Sequence, residues 1–84
     1  MDPEVDIEAL QQQIASFDVG DFIVSASSTL ASLAFAKLEQ EDLAQAKRAI
    51  DALAALVPLV EGELKGDLQQ ALANLQVAYA TAAT

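Results

Sequence analysis

The sequence predicts a small all-α domain of three to four helices, packed as an antiparallel hairpin or bundle. Three observations carry that prediction. Apolar residues recur at spacings of three and four along most of the chain, the period of a helix buried on one side. Alanine and leucine, both strong helix formers, dominate a composition that is 54% hydrophobic but only 5% aromatic. Aspartates and glycines fall where the periodic segments would start and stop. With 84 residues the chain fits one domain, residues 1–84. A chain this short buries only about 60–65% of its unfolded surface. Much of its apolar fraction therefore stays outside a monomeric core, which favours self-association.

The first helix is expected over about residues 3 to 17. Asp2 is the candidate N-cap, Pro3 suits the first helical position, and Glu4 and Asp6 complement the positive end of the helix dipole. Ile7, Leu10, Ile14 and Phe17 form one narrow apolar stripe, with Glu8 and Gln11 to Gln13 on the other side. So narrow a stripe resembles a coiled-coil seam, so the segment reads as an amphipathic arm that docks on the second helix of its own or another subunit. The "DVG" at 18 to 20 reads as a break.

The second helix is expected from about Phe22 to Leu38, capped by Asp21. One apolar face holds Phe22, Ala26, Leu30 and Leu33, another Ile23, Val24, Ala31, Phe35 and Leu38. Between them lie Ser25, Ser28, Thr29, Ser32 and Ala36, either an approach surface for another backbone or a solvated face. From Phe22 to Ala36 there are 15 residues without a charge, fewer than the roughly 20 that span a bilayer. A buried core helix is the expectation, and no membrane partner.

The third helix follows Asp42, a candidate cap. Leu43, Ala46, Ile50, Leu53 and Val57, flanked by Ala49 and Leu56, make a continuous apolar face. Lys47 and Asp51 are spaced for a weak pair on the opposite side. Pro58 lacks an N–H and clashes with the preceding turn, so the helix stops or kinks near Val57. Gly62 and Gly66 mark a turn, and the fourth helix begins near Asp67. Leu68, Leu72, Leu75 and Tyr79 align along it, and the tail "ATAAT" is expected to fray. Only Glu39 to Glu41 separate the second and third helices, so these two should run antiparallel.

Chemistry narrows the function further. There are 13 acids against four bases, a net charge of −9, which disfavours nucleic acid and anionic membranes as partners. Without histidine or cysteine, most catalytic bases, nucleophiles and soft-metal sites are missing. No phosphate-cradling glycine loop and no calcium-loop spacing occur. The N-terminus "MDPEVDIEAL" lacks the basic start and apolar run of a signal peptide. No enzyme activity, catalytic residue, metal or cofactor is expected.

The segments "AFAKLE", "DLAQAKRAIDALAALV" and "LQQALANLQVAYATA" together resemble the DUF1844 family, a small bacterial domain of unknown function. The similarity covers about residues 20 to 82 and leaves the first helix outside. Lys37 and Leu38 match its first element; Asp42, Leu43, Ala46, Ile50, Asp51 and Leu53 its second; Leu72, Leu75, Gln76 and Tyr79 its third. Glu39 stands where the family usually has Gly, and Lys47 where it has Arg. The resemblance implies a small cytoplasmic helical protein and carries no activity.

The functional expectation is a non-catalytic structural or protein-interaction module, dimeric through apolar helix faces. Its core and interface would be Phe22, Leu30, Leu33, Phe35, Leu43, Ile50, Leu53, Leu72, Leu75 and Tyr79, with Lys47 and Asp51 as polar contacts. The alternative is a small-ligand or lipid carrier with a cavity lined by Phe22, Leu30, Phe35 and Tyr79.

Overall fold

A computed structural model describes the backbone of residues 3 to 84 and the side chains from Ile7 onward. Asp2 as a cap, and the side chains of Glu4 and Asp6, lie outside the described residues. Four α-helices and no strand occur among those described: α1 (Pro3–Ala15), α2 (Val19–Glu39), α3 (Leu43–Leu56) and α4 (Leu64–Ala82). A 3-10 turn, Val57–Leu59, follows α3.

The start of α2 differs from the sequence expectation. Asp18, not Asp21, is the cap: its Oδ2 accepts from the Asp21 N–H at 3.0 Å. The "DVG" segment is thus a cap and a first turn rather than a break. Gly20 serves this turn, because a Cβ there would lie 3.0 Å from Asp18 Oδ2 and push the capping carboxylate away.

Between α2 and α3 the chain reverses over Gln40–Asp42. The Glu41 N–H donates to the Leu38 carbonyl and the Asp42 N–H to the Lys37 carbonyl, both at 3.0 Å. These are the two bonds of a Schellman closure, with Glu41 left-handed at φ 61° where glycine is normally found. Asp42 then caps α3, its Oδ1 accepting from Gln45 N–H at 3.2 Å. The short reversal sets α2 and α3 antiparallel, as their spacing predicts.

Pro58 ends α3 in the 3-10 turn, and Gly62, at φ 89°, reverses the chain toward α4. The expected second glycine of that turn, Gly66, lies inside α4, which begins at Leu64 and carries Asp67 in its first turn. The tail also departs from expectation. It stays helical through Ala82, with the Thr81 hydroxyl bonded back to the Val77 carbonyl at 3.0 Å.

The core is built by α2, α3 and α4 and the turn after α3. Leu53, Leu75 and Val60 are fully buried, with Ile50, Val57 and Leu68 nearly so. The residues that α2 buries fully are all small, Ser27, Ala31 and Ala34, with Ile23, Val24, Leu30 and Leu38 partly buried against the core, and α3 likewise buries Ala46 and Ala49. Small side chains on both sides let the two helix axes lie close, since interaxial distance follows the size of contact residues. This corrects the picture of α2 as a buried central helix. Phe22, Leu33 and Phe35 are 61%, 45% and 43% exposed. The buried line through Ser27, Ala31 and Ala34 lies more than roughly 100° around the helix from Phe22 and Leu33.

The molecule is elongated. Its radius of gyration is 16.2 Å and its longest dimension 53 Å, against about 12 Å for the radius of a compact chain of this length. The cause is α1, which packs against no other helix among the described residues.

Candidate interaction surface

Polar chemistry on this fold is sparse. Lys47 Nζ and Asp51 Oδ2 meet at 2.9 Å on the solvent side of α3. The hydrogen bond to Asp51, with its charge, raises the Lys47 ammonium above its ordinary value, and both side chains remain well exposed. No grouping of three acids is placed to hold a metal among the described residues.

What stands out is an apolar seam. Along α1, Ile7, Leu10 and Ile14 are spaced three and four apart and are all more than half exposed. The seam continues through Phe17 at the junction to Val19 and Phe22 at the start of α2. Ile14, Phe17, Val19 and Phe22 line one shallow cleft of about 320 Å³, so the stripe of α1 and the first turn of α2 open to the same side. A second cleft, of about 200 Å³, lies against Ile7, Leu10 and Ile14.

The junction itself is held locally. Ser16 Oγ donates to the Gln13 carbonyl at 2.7 Å and the Phe17 N–H to the Ile14 carbonyl at 3.1 Å, closing α1. Asp18 opens α2 within the next turn. Two helices terminated this near each other leave little slack between them. Beyond Phe22 the outward face of α2 is smooth and uncharged: Ser25, Ser28, Thr29, Ser32 and Ala36 are exposed. Thr29 satisfies its hydroxyl internally, on the Ser25 carbonyl at 2.9 Å.

Comparison with known proteins finds no match. No family model fits the chain, and neither a curated protein nor a solved structure resembles it significantly.

The residues singled out from sequence divide into three groups. Ile50, Leu53 and Leu75 are buried; Leu30, Leu43, Leu72 and Tyr79 are half-buried; Phe22, Leu33 and Phe35 lie on the surface. Leu30, Leu72 and Tyr79 pack against the buried cluster. The four residues proposed to line a carrier cavity enclose none, because Phe22 and Phe35 face outward on different sides of α2. Sequence reasoning missed Val19, hidden in a segment read as a break, and Ser27, whose hydroxyl is fully buried.

The length of α2 also differs from expectation. At 21 residues, with mean hydropathy 1.4 over its most apolar window, it is long and apolar enough to cross a membrane by length and composition. Its charge-free part, Phe22 to Ala36, is 15 residues, about 22 Å at 1.5 Å per residue against a hydrocarbon core of about 30 Å.

Proposed function

We propose that this chain is a non-catalytic interaction module that self-associates through exposed apolar helix faces. One observation carries the reading: α1 presents Ile7, Leu10 and Ile14 to solvent while touching no other helix among the described residues. Isolated helices of about 12–15 residues are marginal in water. An arm of 13 residues therefore gains its order from what it docks on. Full burial of each such aliphatic side chain contributes about 1.5–3 kcal/mol, enough in combination to offset the cost of association at micromolar concentration.

Sedimentation velocity between about 1 and 200 μM tests this, a range chosen to bracket micromolar affinity. A concentration-dependent dimer is expected, with an environment-sensitive dye displaced as the dimer forms. A monomer throughout that excludes the dye removes the basis of the proposal. The motif resemblance supports placing the chain with DUF1844 as a diverged member: Asp42 is the cap of α3, and Ile50 and Leu53 are core residues. A cytoplasmic location follows from that resemblance and is checked by cell fractionation.

A further inference from the structure

We propose that the occupant of the apolar seam is a second copy of this chain, bound by reciprocal exchange of arms. In that assembly α1 of each copy lies antiparallel along the Ile23, Ala26, Leu30 and Leu33 face of α2 of the other. The proposal rests on the self-association reading above and specifies its geometry.

Shape is the first argument. Helices of 13 and 21 residues laid end to end measure about 51 Å at 1.5 Å per residue, close to the 53 Å length of the molecule. The shared cleft of Ile14 and Phe22 shows that the stripe runs on from α1 to α2 without changing sides. Two such rods placed side by side in opposite directions set each α1 on the other copy's α2. The arm, about 20 Å long, matches the charge-free stretch of α2, about 22 Å.

Register is the second argument. Setting Ile7 opposite Leu33 places Leu10 opposite Leu30, Ile14 opposite Ala26 and Phe17 opposite Ile23, so that each stripe residue meets an apolar one. A shift of one residue in one direction sets the stripe against Ser32, Thr29 and Ser25. A shift in the other direction sets it against Ala34, Ala31 and Ser27, which the chain's own core already covers.

Charge is the third. An acidic protein repels itself, but no charged residue lies between Phe22 and Ala36. The acids of the arm, Glu4, Asp6 and Glu8, all fall in its first half. Antiparallel packing carries that half toward Lys37, the base in the last turn of α2, whereas parallel packing would carry it toward Asp18 and Asp21. Among the described residues, Lys37 forms no ion pair within its own chain. Covering the six large side chains of the seam on one copy removes roughly 600 Å² from water, at about 100 Å² each. Two copies reach about 1,200 Å², the lower end of the range of stable interfaces.

The chain has no cysteine, so each substitution introduces its only thiol. Ile7→Cys and Leu33→Cys change exposed positions and leave the core untouched. The two variants are oxidised separately and as an equimolar mixture, a chain carrying both substitutions is oxidised at low concentration, and the unmodified chain is sedimented in parallel. Covalent dimer is expected from the mixture at about ten times the level of either variant alone, as disulfides require Cα atoms within about 7 Å. Dimer from Ile7→Cys alone would mean α1 packs on α1, overturning the exchange but not self-association. A sedimenting dimer whose mixture fails to cross-link has the same meaning. An intramolecular cross-link in the doubly substituted chain places the arm on its own α2 and overturns the exchange. A monomer at every concentration overturns both readings, and such a monomer that binds phosphatidylcholine vesicles would make lipid the occupant.

Discussion

Replacing Ser27 with alanine should stabilise the fold, although it removes a polar group from a buried helix. Ser27 is fully buried on α2, and its Oγ has no hydrogen-bond partner among the described residues. The contrast is Thr29, two residues on, whose hydroxyl bonds back to the Ser25 carbonyl at 2.9 Å. A buried hydroxyl without a partner carries a desolvation penalty of about 1–3 kcal/mol. Alanine adds roughly 0.5 kcal/mol through its higher helix propensity. The oxygen is small, so the void left behind subtracts a few tenths at about 24 cal/mol per Å³. The net expectation is a gain of about 1–3 kcal/mol, and each kcal/mol raises Tm by roughly 4–8 °C in a domain of this size. Urea denaturation followed by circular dichroism should show a higher midpoint with unchanged slope. A loss of 1 kcal/mol or more would falsify the reasoning, since it would mean that the hydroxyl is satisfied. Ser27→Val is the control for packing: it should cost about 1–3 kcal/mol, because the close helix pair has no room for added methyls.

Other expectations follow from the same structure. Leu53→Ala and Ile50→Ala should each cost about 2–5 kcal/mol, while Gln45→Ala on the exposed face should stay within about 0.5, all read from denaturation midpoints. Glu41→Gly should stabilise by about 1 kcal/mol, because the left-handed φ of 61° costs an L-residue more than glycine. Unchanged or lower stability would show that the Glu41 side chain contributes something the backbone geometry does not reveal. Deleting residues 1 to 17, which spares the Asp18 cap, should leave the unfolding midpoint of α2–α4 unchanged at concentrations where the chain is monomeric, while abolishing the dimer. Unfolding of the whole chain would place the arm in the core. Raising the folded-state value of Lys47 means that any stability it contributes is present below about 10.5 and is lost as pH rises through the raised value. Because the pair is exposed, Asp51→Asn should leave the midpoint at neutral pH unchanged, and a clear drop would reveal a tighter interaction than the structure contains.

How much of this was legible in the sequence depended on which residues did the packing. The α3 helix was readable almost in full: Asp42 as cap, Ile50 and Leu53 on the buried stripe, Pro58 as the stop. There the bulky apolar residues and the core coincide. On α2 they do not, because the face turned inward is chosen by close fit of Ser27, Ala31 and Ala34, whereas hydrophobic periodicity weights Phe22, Leu33 and Phe35. Its cap is Asp18 and not the expected Asp21, and Gly20 disguised a first turn as a break. The same confusion displaced the start of α4, where Gly66 and Asp67 lie within the first helical turn. The stripe on α1 could be seen because, apart from Val5, nothing else on the arm is large and apolar. Its continuation through Val19 depended on where α2 begins, after Asp18 and not after the expected Asp21.

The small-residue contact between α2 and α3 sets a limit on how this protein's stability can be mapped. Ala31, Ala34, Ala46 and Ala49 are all buried, and each is already the residue that a standard truncation scan installs. Such a scan would pass over them and score only the leucines, isoleucine and valines around them. A glycine scan would register part of the omission as lost helix propensity. A scan with leucine would show these alanines as the least permissive positions in the chain, and would trace the helix contact from genetics alone.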